Sequence, residues 1–381
     1  MIYLITFALS SLILFFTERQ RKCIKYLGVI LAISIPIFLA TMRSESVGID
    51  VATYMKPLFM CSMRSENLLD FFINMKNDPS LEYMEYGYGL ISYIASKFTR
   101  GLWGIFLVNA LLCILPVYFG INNLNKYLVV IKKQTWTIPS WAGMFIYYCI
   151  FYNNSLNQVR QIICCALLFY AFMSILNKHS LRALIVFLVC LSFHISSLIF
   201  IYIVIIYLIS KYKFNWLRIA LIIALILFSI FSIQIFYGLM YFLNTLGLIP
   251  EKYQGEIFDV QYGTIDINIS WLFVGILMFI ISTIYYKHNS NDILACFMFF
   301  ISLSFISLFQ LSSYFASFGR IQLYFLIYSA VILPLSKQAL IGIIKERILI
   351  SNVINIFVPT IYWFVAIYLF DYTGTIPYSF I

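Results

Sequence analysis

Charge is scarce in this chain. Asp, Glu, Lys and Arg make up 10% of its 381 residues, against about 25% in a soluble globular domain. With 63% of residues hydrophobic, too little polar side chain remains to cover a water-facing surface. Apolar runs recur near the ~20 residues a helix needs to cross a bilayer. The fold class is therefore all-α and polytopic, because lipid offers a backbone amide no partner outside its own helix. Several chemistries leave no mark. Cys23, Cys61, Cys113, Cys149, Cys164, Cys165, Cys190 and Cys296 form no Cys-x-x-Cys pair. A metal site or disulfide framework is not expected, and these cysteines read as small packing residues. There is no Walker loop, no Gly-rich phosphate loop and no His-Glu-x-x-His. The Asp-x-Asn at 266–268 is a weak signal. The first apolar run has no basic segment before it and no small-x-small site after it, so it is expected to be retained rather than cleaved. No internal duplication of the inverted-repeat transporter kind is evident.

The apolar runs are 2–16, 24–42, 86–98, 102–119, 138–152, 158–176, 181–193, 195–210, 216–237, 271–286, 293–310, 320–336 and 352–370. Cytoplasmic loops are enriched in Lys and Arg. Arg19, Arg21, Lys22 and Lys25 place 17–25 inside. Lys126, Lys132 and Lys133 do so for 120–137. Lys178 and Arg182, then Lys211, Lys213 and Arg218, then Lys287, then Lys337, Lys345 and Arg347 mark the remaining inside loops. Acidic residues are rare there: Glu18, Asp292 and Glu346. Both termini then lie outside. Run 86–98 is below spanning length and reads as a re-entrant or interfacial helix, which leaves about 12 crossings (range about 11–14) in a single transmembrane domain. If 86–98 does cross, the orientation of one end flips. Loops 43–85 and 238–270 are acidic and aromatic with Gly and Pro turns, and read as ordered extracytoplasmic caps.

Four groups break this charge pattern. Arg43 closes the second run, Arg160 opens the run at 158, and Arg320 opens the run at 320. His194 falls at the turn of the short hairpin between two inside loops. His179 and His288, by contrast, sit in basic loops and read as solvated surface residues. The topology puts all four groups at the outer membrane face, with Glu85 and Asp50 in the first external loop. Ionisable groups near the hydrocarbon are costly and point to function; the plainer reading of a single Arg is snorkelling to the headgroups. Around Arg160, the residues Asn153, Asn154, Asn157, Gln158 and Gln161 share one broad helical sector. Amides donate to and accept from sugar hydroxyls, and a guanidinium fork matches phosphate oxygens. Cys164 and Cys165 are small enough to let another group approach. The 29 Tyr and 37 Phe read mostly as packing and lipid-facing residues, though some could stack on sugars.

At this point a resemblance emerges. The sequence resembles the EpsG/Wzy group of bacterial polysaccharide (O-antigen and exopolysaccharide) polymerases. The matching pieces are Arg-Ser-Glu-Ser-Val-Gly-Ile-Asp-Val-Ala-Thr-Tyr at 43–54, Glu-Tyr-Gly-Tyr-Gly-Leu-Ile at 85–91 and Asn-Gln-Val-Arg-Gln at 157–161. They continue with Phe-His-Ile-Ser-Ser-Leu at 193–198, Gly-Arg-Ile-Gln-Leu-Tyr-Phe at 319–325 and Ile-Pro-Tyr-Ser-Phe at 376–380. The resemblance implies a multi-pass protein of the bacterial cytoplasmic membrane with its site facing the periplasm. Its partners would be an undecaprenyl-pyrophosphate-linked oligosaccharide, the bilayer, and a chain-length regulator and flippase of the same pathway, with no nucleic acid. The implied reaction passes the growing glycan from its lipid pyrophosphate to a sugar hydroxyl of the next lipid-linked unit, with no cofactor, no nucleotide and no metal. Arg160 would stabilise the leaving pyrophosphate, with Arg43 and Arg320 in support. Asn157, Gln158, Gln161 and Tyr54 would touch substrate. His194, Glu85 or Asp50 would take the acceptor proton, or His194 would bind phosphate as a cation. An O-antigen ligase and a lipid-linked oligosaccharide flippase are the alternatives. Convergence of the four basic groups on one external pocket favours the polymerase.

Overall fold

The computed structural model describes residues 1–212, 215–247 and 269–380. Among them the chain is helical; the single β-type pairing is an isolated antiparallel bridge between Arg43 and Phe380. Seven helices of the described residues are long and apolar enough to cross a membrane. Ile2–Thr17, Ser180–Leu191, Ile195–Lys211 and Phe318–Ile332 are apolar but shorter. The chain is a multi-pass membrane protein by this measure.

The described chain divides into two compact units, Met1–Tyr202 with Ile327–Ile381, and Ile203–Leu326. The first unit contains α1 (Ile2–Thr17), α2 (Lys22–Thr41), α3 (Lys56–Arg64), α4 (Leu68–Asn77), α5 (Tyr86–Phe98), α6 (Trp103–Lys126), α7 (Ser140–Tyr147), α8 (Asn153–Asn157), α9 (Val159–Leu176) and α10 (Ser180–Leu191). Helices α6 and α9 pack along their lengths, flanked by α2 and α10. α1 packs on α2 and α7.

An internal proline shows how the unit stays satisfied without water. Pro36 has no N–H, so the carbonyl of Ala32 loses its helical donor. The Ser10 hydroxyl of α1 donates to that oxygen at 2.7 Å. Beside Pro116 in α6, the Tyr147 hydroxyl donates to the Cys113 carbonyl at 2.6 Å. In hydrocarbon the orphaned Ala32 carbonyl would be expensive, and both hydroxyls tie neighbouring helices together near a proline. Outward, residues such as Leu12, Phe16, Leu27 and Ile30 are exposed, a surface suited to lipid rather than water.

Three departures from the sequence reading stand out. Residues 153–157, expected as the polar mouth of a helix, continue it: α7 runs through a π-helical stretch, Tyr148–Tyr152, into α8. The break comes one residue before α9, at Gln158, whose ψ is 54°. Loop 43–85 is largely helical, through α3 and α4 and a π-helical turn at Val51–Met55. Helix α12 (Asn215–Thr245) reaches into the segment expected to be the second loop, 238–270; its apolar residues continue the helix, and 248–268, with the Asp-x-Asn, lie outside the described residues. Run 86–98 is a short helix, α5, as expected.

The second unit holds α11 (Ile199–Lys211) from Ile203 onward, α12, and helices Ile269–His288, Ile293–Ser307, Phe309–Tyr314 and Ala316–Leu326. Phe236, Leu311 and Phe315 form its buried cluster. Gln322 donates to the Phe305 carbonyl at 3.0 Å. Arg320 is exposed on helix Ala316–Leu326.

Candidate active site

Segment 43–54 is pinned across the junction of α8 and α9. Gly48 has φ +96°, and a Cβ there would lie 2.3 Å from the Leu156 carbonyl oxygen, so only glycine lets the two backbones meet. The Gly48 N–H donates to the Gly374 carbonyl at 3.1 Å. The Asp50 N–H donates to the Asn157 side-chain oxygen at 3.2 Å. The π-helical turn then brings Tyr54 back over Asp50, and the Tyr54 hydroxyl donates to the Asp50 carboxylate. Burial pushes the Tyr54 phenol well up from its ordinary value, which keeps it a donor.

Arg160, on the first turn of α9, lies with its guanidinium 4.7 Å from the Tyr54 ring centroid. The same guanidinium forms an ion pair with Glu85. The two side chains are 20% and 22% exposed, so the pair sits at the boundary of the packed interior. Tyr54 meets Tyr88 edge-on at 6.1 Å, and the Tyr88 oxygen accepts from Asn109 at 3.1 Å. Arg160, Asp50 and Arg43 all act electrostatically on Tyr88, so the four groups share one neighbourhood.

Glu85 is linked to the turn that carries His194. The Gly87 N–H donates to the Ser192 carbonyl at 2.8 Å, and a Cβ on Gly87 would lie 2.7 Å from that oxygen. Two residues on, His194 caps the short turn Ile195–Leu198. Its Nδ1 accepts from the Ser196 N–H at 3.2 Å, and the Ser196 hydroxyl lies 2.7 Å from the same nitrogen. A backbone N–H can bond only to a ring nitrogen with a free lone pair, which assigns the hydrogen of the neutral ring to Nε2. In that tautomer Nε2 carries the donor hydrogen. Cys164 donates to the Cys190 carbonyl at 3.5 Å, so its small side chain lets α10 approach, as the sequence suggested.

Arg43 is placed differently from the open phosphate contact expected of it. It is 2% exposed, with its guanidinium 4.3 Å from the Phe106 ring centroid. Its electrostatic neighbours are Tyr152, Tyr88 and Tyr3, and among the described residues its Nε has no hydrogen-bond partner. The amide sector also turns inward. Asn153 bonds Thr375 and Trp363 at 2.8 and 2.9 Å. Asn154 donates to the Ile150 carbonyl, and Gln161 is buried. Gln158 is partly exposed, but its Oε1 is buried without a described partner.

A wall comes from the C-terminal segment, which the sequence marked only as the matching piece 376–380. Besides the Arg43–Phe380 bridge, the Ser44 N–H donates to the Ser379 carbonyl at 2.8 Å. The Tyr378 hydroxyl donates to Leu39 O, and that of Tyr3 to Thr375 O. No periodicity announces a strap of this kind. The glycines at 48 and 87, Tyr88 and Ser196 were legible only as members of the matching motifs, and Asn109 lies in none of them.

Helices α1, α6 and α9 share a polarity. Tyr3, Phe106 and Arg160 lie at their site ends, and Glu18, Lys126 and Asn177 at their others. The site therefore occupies the end of the first unit away from the basic loops. Among the described residues no three His, Cys, Asp or Glu side chains gather as a metal-binding group would. No curated protein and no solved structure matches the chain. A family model does, over residues 25–380, nearly the whole length and all the segments that build this site: the chain belongs to the EpsG family.

Proposed function

We propose that this protein polymerises lipid-pyrophosphate-linked oligosaccharide units at the outer face of the cytoplasmic membrane. EpsG family members are Wzy-type polysaccharide polymerases. The observation that carries the mechanism is the Arg160–Glu85 pair stacked on Tyr54. Basic loops mark the cytoplasmic side, so the opposite end of the first unit faces out in this reading. About 12 crossings, with 43–85 and 238–270 as extracytoplasmic caps, accompany it.

The partly exposed Arg160 offers a donor pyrophosphate a fork now shared with Glu85. Phosphate oxygens that engage the guanidinium compete with the carboxylate. Glu85 is then released beside the acceptor sugar, where it takes the hydroxyl proton. The hydroxyl oxygen bonds to the anomeric carbon as the bond from that carbon to the phosphate oxygen breaks. The pyrophosphate leaves with the electron pair, and Arg160 stabilises its developing charge. His194 donates from Nε2 to a substrate oxygen. Asp50 and Tyr54 hold the arginine in place.

The test is genetic. In a strain lacking the protein, wild type restores long-chain surface polysaccharide. Arg160→Ala at equal membrane abundance leaves single lipid-linked units to accumulate. Normal chain lengths from that variant would sink the assignment.

A further inference from the structure

The basic-loop end of the first unit holds a cavity of about 690 Å³, within the roughly 300–1,000 Å³ typical of small-ligand sites. It lies between the end of α1, the end of α6, the segment entering α7, and helix Arg347–Tyr362. Along α1 it is about 22 Å from Tyr3, at the 1.5 Å rise of a helix. Arg19, Lys25 and Lys337 stand exposed around it. None of the three forms an ion pair among the described residues. The one carboxylate in the described wall, Glu18, is already committed: it accepts the N–H groups of Ser140 and Trp141 at the start of α7. At depth lies Asn355, 3% exposed. Its amide donates to Ser351 at 3.4 Å, while its Oδ1 is buried without a described partner. A buried polar atom left unsatisfied calls for an explanation.

A second hollow of about 370 Å³ shares Phe15, Trp141 and Asn352 with the first. Its remaining wall includes Ala8, Leu12, Phe145 and Ile356. A basic, polar chamber therefore leads into an apolar groove. We propose that this chamber and groove bind one anionic glycerophospholipid with a hydroxyl-bearing headgroup, with its phosphate between Arg19, Lys25 and Lys337, its headgroup hydroxyls toward Asn355, and an acyl chain along the groove. Charge selects the class. A zwitterionic headgroup would bring an ammonium to a rim of three cations, whereas basic pockets between membrane helices suit anionic headgroups. A soluble phosphate would leave the groove unused.

The test uses the purified full chain in detergent, titrated with dioleoylphosphatidylglycerol or dioleoylphosphatidylcholine, with lipid adducts counted by native mass spectrometry. The first phosphatidylglycerol should bind about tenfold or more tighter than phosphatidylcholine. Removing the charges (R19A, K25A and K337A together) should weaken it about fivefold per residue. Asn352→Trp keeps every charge and fills the exposed junction; it should abolish the tight adduct and leave phosphatidylcholine adducts unchanged. Excess glycerol 3-phosphate should not displace the lipid. Three results would overturn the proposal: equal affinity for the two lipids, a wild-type phosphatidylglycerol adduct on Asn352→Trp, or full displacement by glycerol 3-phosphate.

Discussion

Lysine at position 160 would keep the charge of Arg160 but not its planar fork, which is shared here between Glu85 and the face of Tyr54. Arg160→Lys is expected to slow chain elongation about tenfold or more. Arg160→Ala should cost about 10²–10³-fold, as loss of one charge-stabilising group does. Radiolabelled unit incorporation in isolated membranes measures both. His194 gives a sharper discrimination. If Nε2 acts as a donor, His194→Gln, whose amide can also donate, retains measurable elongation while His194→Ala does not. If the ring were the base, both would be equally inactive. At this level the sequence was partly legible. Arg160, Glu85, Asp50 and Tyr54 do meet. The amides turn largely inward for a physical reason: a helical wheel sees their shared face but not the groups of the fold they serve. Asn154 satisfies a carbonyl of the π-helical stretch, and Asn153 ties down Trp363 and Thr375. Inside a membrane those duties come before any ligand.

Between elements, two close backbone approaches hold the site together. A methyl group at Gly48 would meet the Leu156 carbonyl at a φ that other residues avoid. Gly48→Ala should therefore destabilise the protein by about 1–3 kcal/mol, read as a lower midpoint in a thermal scan of the detergent-solubilised chain. Gly87→Ala pushes against Ser192 and Phe193, and so displaces the turn of His194 relative to Glu85. It should reduce elongation more than it reduces stability. Removing the Ser10 hydroxyl strands the Ala32 carbonyl; Ser10→Ala should cost about 0.6 kcal/mol, the average for hydrogen bonds between membrane helices, and at most about 1.7. Helix positions were readable from apolar runs, because hydrocarbon thickness sets their length. Their continuity was not. Polar residues 153–157 read as the mouth of the helix that follows but extend the one before, since their side chains find partners within the fold. The role of the C-terminal strap was equally hidden, because its contacts are to residues more than 200 positions away in the chain.

Across the whole molecule the asymmetry of charge is the strongest regularity. Basic loops lie at one end of the first unit and the Arg160 cluster at the other, as the loop charges imply. Cys23 provides a native reporter. It is the exposed cysteine of the described chain, on the first turn of α2 beside the basic residues that precede it. A membrane-impermeant maleimide should leave it unmodified in intact cells and label it once the membrane is permeabilised. A cysteine placed at exposed Ser46 should show the reverse. Labelling of Cys23 from outside would invert the orientation and move the site to the cytoplasmic face. The most direct measurement is elongation by the purified protein in proteoliposomes given only the lipid-pyrophosphate-linked oligosaccharide of its host. The reading predicts a ladder of longer lipid-linked glycans, with one lipid pyrophosphate released per unit joined, and no ladder from Arg160→Ala. An equal ladder from Arg160→Ala, or none from wild type that remains folded and correctly oriented, would contradict it.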